Sequence, residues 1–199
     1  MTAQTIRKEL ANAFTDMTDF AFRDMVFGEN TVTVAYLVGF CSRIFVNKYI
    51  LEPISYAYTA GNASFPLESI ITNIKVEKIT EMDGAIRAIL SGNAFVFSDT
   101  MENILGISVF TKNDEGRSTM EPETENVIRG PHEGFTESAE NNVVLLRRRI
   151  HSAKLKRRSF VVGQETMTDV SVVFMEGIAN GEVVSEVCRR ISEIKTDAI

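Results

Sequence analysis

Two stretches far apart in the chain, MVFGENTVTVAYLVGFCSRIFVNKYI (25–50) and FVVGQETMTDVSVVFMEGIANGEVVSEV (160–187), follow one plan. Each has a glycine after a short apolar run, a run rich in β-branched and aromatic residues, a second glycine, and a polar step into a helical pattern. TVTVAYLV has the length and residue types of a buried strand rather than a helix. Two such strand-turn-helix units with a polar connection between them predict an α/β protein. They fit two small subdomains, mixed sheets flanked by helices and related by a weak internal repeat, better than one continuous sheet.

The rest of the chain fills in this frame. Ile6, Leu10, Phe14 and Met17 recur near helical spacing, predicting a first amphipathic helix over 5–17. Ser42 is placed to cap a helix through RIFVNKYIL that Pro53 stops. Pro66 opens a short helix, and a strand follows at 75–79. Thr80 and Asp83 resemble a capping box, and Gly92 stands where a left-handed helix terminus belongs. AFVFS and ILGISVFT, joined by the polar DTMEN, read as an antiparallel pair. The polar, acidic stretch NDEGRSTMEPETEN divides the chain into an N-terminal subdomain, 1–112, and a C-terminal one, 113–199. In the second, ESAENNVVLLRRRI has acidic residues early and arginines late, matching a helix macrodipole. Asn180 caps a closing helix with Val183, Val184, Val187, Ile191 and Ile194 turned inward.

Chemistry is conspicuous by the residue types that are missing. There are 2 histidines and 2 cysteines, with no HExxH and no cysteine pair, so no metal site is expected. Cys41 and Cys188 lie in apolar settings and read as reduced core thiols. No GxGxxG or GxxxxGK[ST] cradle occurs, and no nucleophile-base pair stands out, so neither an enzyme nor a cofactor is expected. The charged N-terminus and the absence of a long apolar run predict a piece that neither spans a membrane nor carries an export signal. A formal net charge of -6 gives no global attraction for nucleic acid or an anionic bilayer.

Two local charge features remain. Glu121, Glu123 and Glu125 alternate along EPETE, which places them on one side of an extended chain, to bind a cation, pair with arginines, or simply be solvated. RRRIHSAKLKRR (147–158) is the strongest basic segment. Arg147, Arg148 and Arg149 fan over about 200 degrees of a helix, so they either touch phosphates of an anionic membrane surface or compensate the helix terminus and pair with neighbouring acids.

Between these features lies IRGPHEGFTES (128–138), where Pro131 fixes one dihedral, Gly130 and Gly134 relieve the backbone, and acidic residues precede the arginine-rich helix. The longer run EPETENVIRGPHEGFTESAENNVVLLRRRI resembles the signature of the GerA/SpoVAF family, A-type subunits of bacterial spore germinant receptors. The likeness continues through LKRRSFVVGQETMTDVSVVFMEGIANGEVVSEV, and upstream through AILSGNAFVF and VAYLVGFCS. Phe40-Cys41-Ser42 departs from the family's Leu-x-Asp and lacks its carboxylate. The resemblance implies a large N-terminal region of two α/β subdomains, with some likeness to solute-binding-protein lobes, ahead of membrane helices that begin beyond residue 199. It implies a transporter-like B-type and a lipoprotein C-type subunit as partners, in the inner spore membrane, with this region on the cytoplasmic side. Ligand recognition is usually placed in the B subunit, so the expected role is receptor assembly and transmission of the nutrient signal, in a receptor or in an accessory SpoVAF-type protein. A homo-oligomer fits the same role, and the rival reading is a nutrient-binding module with its ligand in the cleft between lobes. Within it, Arg129 is expected to pair with a carboxylate of EPETE or of the other lobe, beside Glu133, and Phe135 to anchor the turn in the core.

Overall fold

The computed structural model describes residues 1–61, 66–73, 75–101, 103–111 and 134–197. Helix α1 (Ala3–Ala13) is capped by Thr2, whose hydroxyl accepts from the Thr5 N–H at 3.3 Å. The helix stops earlier than its apolar spacing suggests, because Asp16 takes φ 58° and turns the chain. Phe14 and Met17 therefore reach the core from the turn rather than from the helix.

Five strands form one sheet: β1 (Phe20–Phe27), β2 (Asn30–Leu37), β3 (Val76–Ile79), β4 (Ala94–Ser98) and β5 (Gly106–Val109), in the order β1-β2-β4-β5-β3. Every pairing is antiparallel, in contrast to the mixed sheets expected from the sequence. The apolar runs of β2 and β4 arise because helices cover both faces. Val32, Val34 and Val96 point into one core and Ala35, Phe95 and Phe97 into the other. The first core is closed by α2 (Arg43–Val46), a π-helical turn (Asn47–Leu51), α3 (Glu52–Thr59) and α4 (Leu67–Ile70). The second is closed by α1 and by α5 (Met82–Leu90).

Ser42 caps α2 as its position suggests. Pro53 does not end the helical path. The chain widens into the π turn before it and resumes with Pro53 in the first turn of α3, where a missing N–H costs little. Thr80 likewise forms no capping box, since Glu81 occupies the N-cap position of α5 and makes no side-chain cap. Gly92 has the left-handed φ, 86°, that its place after α5 requires.

Helix α6 (Ala139–Arg149), capped by Ser138, leads into the antiparallel hairpin of β6 (Leu155–Val162) and β7 (Thr168–Met175), and then into α7 (Gly181–Ser192), capped by Asn180. The two sequence repeats thus share more than a strand and a helix: each is a β-hairpin followed by a helix. Strand β1 escapes a sequence reading because Arg23 and Asp24 interrupt FAFRDMVF. The glycines that end β2 and β7, Gly39 and Gly177, both have φ 80°, so the repeat preserves one backbone turn.

Helix α7 departs from expectation. Val183 is 59% exposed, only Cys188 of this helix is buried, and the helix ends at Ser192, leaving Ile194 beyond it and 48% exposed. The hairpin is two strands wide and leaves part of the apolar stripe of α7 uncovered.

Past α7 the chain returns to the hairpin loop, where an Asp197 carboxylate oxygen accepts from the Glu165 and Thr166 N–H groups at 2.9 and 3.1 Å. These donors, Thr166 foremost, hold Asp197 below the usual carboxylate range. A lowered folded value means the tether is complete above the ordinary aspartate range and is lost as pH falls through the lowered one. The amide proton resonances of Glu165 and Thr166 should therefore be constant above about pH 5 and move together in more acidic solution. Asp197→Asn should abolish that titration.

Candidate functional site

The hairpin of the C-terminal unit meets the first sheet along the turn that precedes β1. Thr18 donates its N–H to the Arg157 carbonyl and Arg157 donates its own to the Asp16 carbonyl, each at 3.1 Å. Met17 and Arg157 form an isolated parallel bridge. Thr18 and Ser159 join their hydroxyls at 2.8 Å, and Arg158 Nη2 lies 2.9 Å from Asp16 Oδ2. That carboxylate, and then Cys188, raise the Arg158 pKa further.

At the centre is a buried ion pair. Arg147 Nε lies 2.6 Å from Asp19 Oδ2 and Nη2 lies 2.8 Å from Oδ1, a bidentate match, while Nη1 donates to the Leu155 carbonyl at 3.3 Å. The two side chains are 2% and 1% exposed. Asp19 also holds the sheet through its backbone, its carbonyl accepting from the Val38 N–H at 2.7 Å. One carboxylate at the entrance to β1 thus ties α6 and the start of β6 to the first sheet. Pairs this deep are costly to desolvate, and removing one partner strands a charge.

A second contact lies beside it. Gly39 takes the left-handed φ of 80° that favours glycine, and a Cβ there would come within 2.6 Å of Glu140 Oε1 in the first turn of α6 and push that side chain aside. Glu140 also faces Arg43 at 3.7 Å. Cys41 is buried next to this turn, its thiol donating to the Gly92 carbonyl at 3.2 Å. Burial, partly offset by Thr111 and the Leu37 backbone, pushes its pKa up to about 11, so it remains a thiol at neutral pH.

The residues singled out in the sequence fall into three groups. Glu121, Glu123, Glu125, Arg129, Gly130 and Glu133 lie outside the described residues. Gly134 and Phe135 precede α6, and Phe135 is 70% exposed, so it does not anchor the core as expected. Its neighbours Thr136 and Asn142 form a local clasp instead, with two 2.7 Å hydrogen bonds, and leave the ring outward. Arg147 is no surface residue: it lies four positions after buried Val143, on the apolar stripe of α6. Arg148 is half-buried, Arg149 is exposed, and both have partners. Lys156 is buried and faces Glu176 at 3.4 Å. With Arg147, Lys156 and Arg158 each facing a carboxylate of the chain, the basic segment is not a single outward face for anionic lipid.

Asp19 is the residue that sequence reasoning missed. Its signal is an acidic residue set between apolar Met17 and Phe20, matching an arginine on the apolar stripe of α6. Among the described residues no group of three or more His, Cys, Asp or Glu is arranged to hold a metal, and no helix is long and apolar enough to cross a membrane.

Comparison with known proteins places these features in context. The family described as Bacillus/Clostridium GerA spore germination protein matches residues 8–199. The uncharacterized membrane protein YfkQ of Bacillus subtilis is 32% identical over 184 residues, which cover 91% of this chain and 36% of that protein. Spore germination protein GerLA of Bacillus cereus is 28% identical over 199 residues, covering 98% of this chain and 40% of that protein. Stage V sporulation protein AF of B. subtilis is 28% identical over 184 residues, covering 91% and 37%. The chain thus spans about two fifths of the length of these relatives. In fold it is similar to the crystal structure of the N-terminal domain of the A subunit of the Bacillus megaterium spore germinant receptor GerK3, with a TM-score of 0.71 and 21% identity, covering 98% of this chain and 72% of that one.

Arg147→Met should cost roughly 3–5 kcal/mol of unfolding free energy, because it leaves Asp19 buried and uncompensated. Asp19→Leu with Arg147→Met should recover much of the loss, and denaturant unfolding of the single and double variants measures the coupling. Gly39→Ala should cost about 2 kcal/mol, or ~5 °C in Tm. Gly28→Ala, with φ 61° but open space around the Cβ, should cost less by the absence of the Glu140 clash.

Proposed function

Because the chain belongs to the GerA family of Bacillus/Clostridium spore germination proteins, we propose that it is the N-terminal domain of a germinant receptor A-type subunit, assembling the receptor and passing on the nutrient signal. The observation that carries this reading is the buried Asp19–Arg147 pair. A junction of well-solvated charges lets two units slide, whereas a bidentate pair closed off from water resists separation, because parting the units uncovers both charges. A displacement applied to the C-terminal unit is then passed to the first sheet instead of being absorbed between them.

Assembly needs surfaces, and the exposed apolar residues supply candidates: Phe135 ahead of α6, Val183 on α7 and Ile194 just past its end. The partners in this reading are transporter-like B-type and lipoprotein C-type subunits, other copies of the chain, and the chain's own membrane-spanning region, at the cytoplasmic side of the inner spore membrane. No catalytic role is assigned. The 1–112 and 113–199 subdomains are the moving parts. A nutrient held in the cleft between lobes fits less well, because along the turn before β1 that cleft is filled by the ion pair and the Thr18–Arg157 contacts.

The test is made in spores carrying the full-length protein. Arg147→Met should slow the response to nutrient and reduce co-purification of the partner subunits at equal protein abundance. The Asp19→Leu, Arg147→Met double variant should restore both in proportion to its stability. A normal response and normal co-purification from a variant whose junction is shown to be loosened would rule out transmission through this contact.

A further inference from the structure

Arg23 occupies a position on edge strand β1 whose side chain shares a sheet face with Met25 and Phe27, both part of the core beneath α2 and α3. Its cross-strand neighbour, Val34, is fully buried in that core. Arg23 itself is exposed, and its guanidinium makes no ion pair or hydrogen bond with another described residue, so it is open to an incoming anion. It lines a recess of about 440 Å³ with Tyr36, Arg43, Val46, Asn47 and Leu51. That volume lies within the range that holds small ligands.

Two further observations point to the same recess. Asn47 and Leu51 are the first and last residues of the π-helical turn, a local widening that recurs at functional sites. The second arginine, Arg43, is held only loosely, at 3.7 Å from a Glu140 whose own side chain is partly exposed. An incoming anion competes with such a pair at small cost. The chain as a whole is acidic, with a net charge of -6, so two guanidinium groups in one recess are a local exception.

We propose that this recess binds a small organic carboxylate. The carboxylate lies between Arg23 and Arg43, its apolar body rests on Val46 and Leu51, and Tyr36 and Asn47 supply the polar contacts that fix its orientation. The apolar wall disfavours inorganic phosphate, which has nothing to place there. The recess is lined by residues of the first unit and borders the junction at the Arg43–Glu140 contact, but it uses neither Asp19 nor Arg147.

Calorimetric titration of the chain with phenylacetate tests the site, with 2-phenylethanol as the uncharged analogue and inorganic phosphate as the anion without an apolar body. Phenylacetate should bind saturably and the other two should not. Arg23→Gln and Arg43→Gln should each weaken binding about tenfold or more, and Arg23→Lys should fall between Arg23→Gln and the parent. Arg189→Gln, on the exposed face of α7, should leave binding unchanged. Absence of phenylacetate binding, equal binding of phosphate, or binding indifferent to Arg23→Gln would each overturn the proposal. So would self-association of Arg23→Gln with no effect on binding, which would assign the arginine to protection of the sheet edge.

Discussion

Asp19 and Arg147 meet in a place that water does not reach, and the arrangement of the two halves depends on that meeting. The pair joins the residue that opens β1 to the last turn of α6, and through the Leu155 carbonyl it also reaches the first residue of β6. Desolvating two charges costs several kcal/mol each, and the bidentate geometry with its added backbone acceptor offsets that cost only when all the groups are in register. Register is what the contact supplies. The Met17–Arg157 bridge, the Thr18–Ser159 hydroxyl pair and the Arg158–Asp16 ion pair then align the hairpin along the same turn.

The two hairpin-helix repeats end differently because their surroundings differ. In the first, β2 lies inside a sheet covered on both faces, so its residues divide between two cores. In the second, β6 and β7 form a sheet of two strands, and α7 keeps part of its apolar stripe in solvent. The same local pattern of glycine turns and capped helices therefore fills a core in one place and leaves apolar surface exposed in the other.

How much was legible varies by residue. The helix caps at Ser42 and Asn180 and the left-handed turn at Gly92 follow from local chemistry, and all three are found. Pro53 and Thr80 mislead because a π turn and a neighbouring residue offer the backbone another route. For the site, RRR was visible as a basic run, but its first arginine alone lies on the buried stripe, and its partner is 128 positions away in the chain. Phe135 shows the converse. An aromatic residue after a glycine reads as an anchor, and only the Thr136–Asn142 clasp shows the ring left outward.

From the sequence came the α/β class, the strand-turn-helix repeat with its glycine turns, and the resemblance to one family, since these rest on short-range spacing and residue type. Only the tertiary structure decided which charges are buried, which apolar faces stay open, and where an unpaired guanidinium lines a recess. Burial and pairing depend on groups brought together from opposite ends of the chain, and no local pattern encodes the distance between them.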